Sequence, residues 1–260
     1  FAQQMSVTHI LAQAILPEWS DGTWNRKVMS AIRNRVEQAG FILVGLASLP
    51  VSIDRSVLGA AGWEAESAAT SAFLREAGAA GIPLVCFHWQ TSAARPASRS
   101  ANGRGNVKVR SLPHSPTATP TNNGSCDRLL RFCEDTLPET RQAGVRMAFS
   151  PSSDLTTTDI IKGDFPASLE DIQAFFNQTP PELGLDFNTG IMFDLLGNNA
   201  KPQDQLVDAL RWFYEKGRLS ILTAANRVLQ NDISREAFLD EGDMNIPYIL
   251  QALTRMDYQG

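Results

Sequence analysis

Residues 184–190 read G-L-D-F-N-T-G. Alternate residues of an extended chain point to opposite faces, so Asp186 and Asn188 share one face while Leu185 and Phe187 share the other. A glycine at each end stops the strand. Such a strand is either an edge strand with a solvated side or one that presents polar groups to a site. The surrounding sequence has to decide between them.

Working outward, the same unit recurs. Apolar runs at 7–16 (closed by Pro17), 41–46, 83–89, 145–149, 183–188 and 219–223 read as strands, and amphipathic or capped segments between them read as helices. The helix over 24–39 places Val28, Ile32, Val36 and Ala39 on one face and stops at Gly40. Further helices are predicted at 64–77, at 127–143 with an irregularity near Pro138, and at 203–216 before Gly217. Ser168 opens a helix running to 176, with Asp171 at capping-box distance. The last helix, 246–256, carries Pro247 in its first turn, where a missing N–H costs little. Residues 1–5 read as the tail of an earlier helix, and 20–22 as a turn.

Six strand-helix beats with no hairpin signal predict parallel strands joined by right-handed crossovers. No G-x-G-x-x-G follows the first strand, which disfavours a doubly wound nucleotide-binding sheet. The long segments follow strands three to six, whereas the helix-to-strand turns are short. That asymmetry predicts a (β/α)8 TIM barrel, an α/β fold whose βα loops build one active face. One domain is expected over 1–260, with one strand lacking at each end of the chain as given.

The 260 residues are 43% hydrophobic and 20% charged, with a net charge of -5 and a pI near 5.3. An acidic balance of this kind predicts no nucleic-acid partner. No apolar run reaches the roughly 18 residues of a spanning helix, and residues 1–6 carry no basic leader, so no membrane partner is expected. The three cysteines form no disulfide pattern: Cys126 and Cys133 stand about 10 Å apart along one predicted helix, and Cys86 sits in an apolar run. A reducing, cytoplasmic setting follows. Asn123-Gly-Ser and Asn177-Gln-Thr match the glycosylation pattern, but carry no meaning in a chain that is not exported. A homo-oligomer remains compatible with the composition.

From 90 to 125 the beat breaks into a long polar insertion loop rich in Ser, Pro, Thr, Asn and Gly. Its first half carries Arg95, Arg99, Arg104, Lys108 and Arg110 and no acid. Two readings stand: a basic cover over an anionic ligand, or a solvated loop.

Strand ends are where a barrel presents its chemistry. Here they are Gln13, Ser48, His88, Trp89, Ser150, Asn188, Thr223 and Asn226. The set is polar and nearly free of carboxylates, which makes it poor for a hard cation or a transition metal. His88 is the best acid/base candidate, its alternative being a histidine held by a backbone carbonyl beside Trp89. No partner can be assigned to it, so no nucleophilic triad is predicted. His9, early in strand one, reads as structural. Asp186, deeper than Asn188, either orients Asn188 or hydrogen-bonds within a core layer.

Four stretches carry a family resemblance: G-L-D-F-N-T-G, R-M-A-F-S-P-S-S-D at 146–154, G-R-L-S-I-L-T-A-A-N-R-V at 217–228, and E-G-D-M-N-I-P-Y-I-L-Q-A-L at 241–253. In order and spacing they resemble mannonate dehydratase, a (β/α)8 lyase of the xylose-isomerase-like superfamily. More loosely, L-P-E-W-S-D-G-T-W, A-G-F-I-L-V-G-L-A-S-L-P-V and R-G-N-V-K-V-R agree in the first half. The resemblance implies a cytoplasmic hydro-lyase of carbohydrate-acid metabolism, in glucuronate catabolism, removing water from a six-carbon sugar acid with a divalent metal, typically manganese. The departures fall on the ligand positions. The family's strand-four histidine is Ser150, its strand-five cysteine is Asn188, and its strand-six histidine and arginine are Thr223 and Ala225; only Asn226 is kept. For a lyase working without that metal, His88 is the expected base, Arg104 meets the ligand's carboxylate, Asn188 and Asn226 donate to an enolate-like oxygen, and Ser150 and Trp89 also line the ligand. No metal ligand is assigned at Ser150, Asn188 or Thr223. The alternatives are a catalytically silent relative that binds a sugar acid or a partner protein, and a sugar isomerase or epimerase.

Overall fold

A computed structural model describes residues 6–13, 24–91, 99–113, 124–151, 165–166, 168–196, 201–231 and 233–258. The helix tail at 1–5, the turn at 20–22, Arg95 and the asparagine of the first glycosylation pattern lie outside the described residues.

In chain order the elements are β1 (His9–Ala12), α1 (Arg26–Gln38), β2 (Ile42–Leu46), α2 (Asp54–Leu58), α3 (Trp63–Ala79), β3 (Leu84–Phe87), β4 (Arg99–Asn102), β5 (Lys108–Pro113), α4 (Ser125–Ala143), β6 (Arg146–Phe149), α5 (Leu169–Gln178), β7 (Leu183–Asn188), α6 (Thr189–Leu196), α7 (Pro202–Glu215), β8 (Leu219–Thr223), β9 (Asn226–Gln230), β10 (Ile233–Ala237) and α8 (Ile246–Arg255). Six parallel strands in the order β1-β2-β3-β6-β7-β8 alternate with helices, the pattern of a partial (β/α)8 TIM-barrel fold. No described helix is long and apolar enough to cross a membrane.

By its internal contacts the chain divides into two compact units. The first draws on Phe1–Ser92, Asp127–Phe149 and Thr179–Gly184. There α1 packs on β2 and α3, burying Met29 and Ile32. Of the predicted face, Ile32 is buried, Val28 and Val36 are half-buried and Ala39 is exposed. An aromatic cluster fills the space between β3, β6 and α4, with Phe87 centred 5.8 Å from Phe132 and 5.7 Å from Phe149. The helix α4 continues through Pro138.

The second unit draws on Ala93–Cys126, Ser150–Gln178 and Leu185–Gly260. Along β7 the predicted alternation holds: Leu185 and Phe187 are fully buried, while Asp186 and Asn188 are half-buried. Phe187 turns to the helix layer, 6.1 Å from Phe213 of α7. The predicted cap of α5 forms as a reciprocal pair, with Asp171 N–H donating to Ser168 Oγ (3.2 Å) and Ser168 N–H donating to Asp171 Oδ2 (3.0 Å).

Two features correct the reading of an all-parallel chain with a structureless insertion. Within 90–125, β4 and β5 form a hairpin, and β9 and β10 form another. They join as a four-stranded antiparallel sheet in the order β4-β5-β10-β9. The turn residues explain why the hairpins close: Gly105 and Asn106 take φ of 65° and 62°, and Asn231 takes 50°. The hydrophobic pattern concealed them because neither hairpin has the apolar alternation of a buried strand.

Candidate functional site

Three side chains that the sequence places on consecutive strand ends are brought together. Ser150, directly after β6, is 3% exposed. Its Oγ donates to Asp186 Oδ2 at 2.9 Å, and Thr223 Oγ1, at the end of β8, donates to Asp186 Oδ1 at 3.3 Å. The carboxylate of β7 is thus flanked by a hydroxyl donor on each oxygen. Asp186 therefore belongs to the strand-end set; of its two predicted roles, orienting Asn188 or hydrogen-bonding within a layer, the observed contacts are of the second kind.

Two further residues of the motif, Asn188 and Thr189, each hold a neighbour. Asn188 Oδ1 accepts from the N–H groups of Gly190 (3.0 Å) and Ile191 (3.2 Å), capping α6 at the point where its first donors have no helical partner. Thr189 Oγ1 donates to the carbonyl of Ala225 (2.6 Å) and accepts from its N–H (2.9 Å), pinning the turn between β8 and β9. Gly190 leaves room: a Cβ there would stand 3.2 Å from Arg227 Nε and 3.2 Å from the Ala225 side chain.

Asn226 is 1% exposed. Its amide donates to the carbonyls of Leu239 (2.9 Å) and Met244 (3.0 Å), and its Oδ1 accepts from the N–H groups of Arg227 (2.9 Å) and Met244 (3.1 Å). Both hydrogens and both lone pairs of the amide are engaged by backbone, so Asn226 holds the 239–244 turn. Gly242 makes this possible, because a Cβ there would lie 2.0 Å from Asn226 Oδ1.

His88 and Trp89 follow β3 in the first unit. His88 is half-buried. Trp89 is buried, with its ring centred 5.6 Å from Phe132. Arg104 stands at the tip of the β4–β5 hairpin, where it grips Asp240 with two hydrogen bonds (2.8 and 3.1 Å), reaches Glu241 at 3.2 Å and lies over the Phe238 ring at 4.7 Å. The hydrogen bond to Asp240 pushes the Arg104 guanidinium up, and the same bond holds the Asp240 carboxyl below its ordinary range. Lys108 donates to Asn102 Oδ1 at 2.6 Å. Arg99, Arg104, Lys108 and Arg110 therefore sit on a hairpin of the four-stranded sheet rather than in a loop.

The divalent metal implied by the resemblance can be tested against these donors. Two of the ligand positions, Ser150 and Thr223, turn their hydroxyl hydrogens to Asp186, and the oxygen of the third, Asn188, is taken up by two backbone donors. One carboxylate remains, where a hard cation requires several oxygen ligands and a transition metal requires imidazole, thiolate or carboxylate. Among the described residues, no group of three or more His, Cys, Asp and Glu side chains is placed to hold a metal. The described donors do not fit the ion.

Sequence reasoning missed the links from Thr189 to Ala225 and from Arg227 to Asp194. Asp186 was legible from its parity with Asn188, but no pattern announces a hydroxyl on each side of it.

No protein-family model and no curated protein matches the sequence. Solved structures do match by fold. A mannonate dehydratase from Streptococcus suis serotype 2 superposes with a TM-score of 0.79 at 16% identity, over 98% of this chain and 76% of that one. A xylose isomerase domain protein from Planctomyces limnophilus gives 0.64 at 14%, over 100% and 82%. A D-psicose 3-epimerase from Clostridium cellulolyticum H10, solved with D-tagatose, gives 0.61 at 11%, over 99% and 74%. At such identity the likeness is one of fold alone, and the fold shared is the (β/α)8 TIM barrel.

Proposed function

We propose that this chain binds a small polyhydroxylated ligand of the sugar or sugar-acid class at its strand-end face, as a metal-independent relative of mannonate dehydratase. The observation that carries this is the Ser150–Asp186–Thr223 set: a carboxylate held by two hydroxyls across three strand ends, on the face where this fold puts its ligands. An oriented carboxylate accepts hydrogen bonds from ligand hydroxyls, and Asn188, whose oxygen is committed to the helix cap, has its amide hydrogens to offer. In this reading Asn226 acts by holding the 239–244 turn.

The hydro-lyase reading is favoured by one observation, the higher TM-score to the mannonate dehydratase than to the epimerase. It assigns His88 as the base that removes the proton α to the carboxylate, and Arg104 as the carboxylate's partner. Arg104 would then have to exchange Asp240 and Glu241 for the ligand. Without a fitting metal site the enolate-like oxygen has only hydrogen-bond donors to stabilise it, so binding ranks above turnover.

Saturation-transfer NMR with D-mannonate and a panel of neutral sugars and polyols, run beside an assay for the 2-keto-3-deoxy acid, tests both readings. Binding without product supports the proposal. Product at stoichiometric manganese overturns it, and an absence of binding to every member of the panel overturns both.

A further inference from the structure

We infer that Asp194, with Arg227 and Ser234, is a positioning cluster that fixes the strand-end site by bolting the second sheet to α6. Ser234 Oγ of β10 donates to Asp194 Oδ1 at 2.7 Å, and Arg227 Nη1 of β9 reaches Ser234 Oγ at 3.4 Å. Arg227 Nε lies 3.1 Å from Asp194 Oδ2, and both side chains are 7% exposed. The Nε–H is not aimed as a hydrogen bond, so this contact is an ion pair held by charge.

A buried pair of this kind is weak as a source of net stability, because the cost of removing two charges from water offsets most of their attraction. Its consequence is registry. Asp194 lies one and a half turns along the helix whose first residues are the site motif, and Arg227 lies just beyond the turn that Thr189 pins. Gly190 is the point where the two arms pass, with Arg227 packed into the space a side chain would fill. The cluster, Thr189–Ala225 and Asn188's cap therefore form one closed circuit: α6 to β9 by charge, β9 back to the end of β8 by chain, and that end back to α6 by hydrogen bond. Loosening the charged arm should release the other two.

The inference rests on the proposed function only in treating this face as a ligand site, and its test needs no ligand. The amides of Gly190 and Ile191 donate to Asn188, and the amide of Ala225 donates to Thr189. Their hydrogen exchange, read residue by residue by NMR on the full chain, reports the circuit directly. In Asp194→Asn these three amides and those of β10 should exchange faster together, by about tenfold or more, while those of α1 and α3 keep their rates. Ser234→Ala, which removes one hydroxyl and should fold normally, should give the same pattern with a smaller increase. Faster exchange confined to β9 and β10 in the serine variant, or a uniform increase along the whole chain in both variants, overturns the inference. Should the ligand panel bind nothing, the exchange pattern still decides this proposal independently.

Discussion

Asp186 is the residue on which most of the site depends, because two hydroxyls from neighbouring strand ends converge on it. Ser150 is buried, so losing the Asp186 oxygen removes a hydrogen bond where little water can replace it. Asp186→Ala should lower stability by about 2–4 kcal/mol in urea unfolding, and Ser150→Ala by about 1 kcal/mol; equal stability of Asp186→Ala and wild type would mean these bonds hold nothing. Gly190→Ala should cost about 1–3 kcal/mol, since the added methyl meets both Arg227 and Ala225. The alternation along 184–188 made the polar face legible in the sequence. What Asp186 and Thr189 each touch was not, because those partners lie 36 or 37 residues away, at or just beyond the ends of other strands.

At the scale of elements, local chemistry was readable where it is self-contained. Ser168 and Asp171 sit three residues apart and cap each other as their spacing required. Ser168→Ala should therefore cost about 1 kcal/mol and raise amide exchange in the first turn of α5. The antiparallel sheet was missed because its strands are polar and short, although the glycine and asparagine turns were in plain view. Its β4–β5 hairpin is tied to the 238–241 turn by Arg104, an exposed contact whose strength depends on charge. Arg104 holds the Asp240 carboxyl below its ordinary value, so the tie is complete above about pH 4 and fails only as pH falls through that lowered value. Proton uptake does not weaken it near neutrality, but salt does. Amide exchange at 104–107 should be unchanged between pH 7 and 5 after correction for intrinsic rates, and should rise with added salt or in Arg104→Ala. A tie that loosened between pH 7 and 5 would need another titrating group.

For the whole molecule, the repeated strand-helix beat and the placement of long segments after strands were enough to identify the barrel fold, since both follow from how parallel strands must be connected. The strand-end contacts were only partly legible. The sequence places Ser150, Asp186 and Thr223 on or beside strand ends, whereas the hydroxyl contacts to Asp186 emerge only when the three strand ends are seen together. The most direct test is calorimetric titration of D-mannonate into the wild-type chain and into Asp186→Ala, each with excess EDTA and again with manganese. Binding that persists in EDTA, is unchanged by manganese and is lost in Asp186→Ala is the predicted result. Binding that requires manganese, or that survives the loss of Asp186, would contradict it.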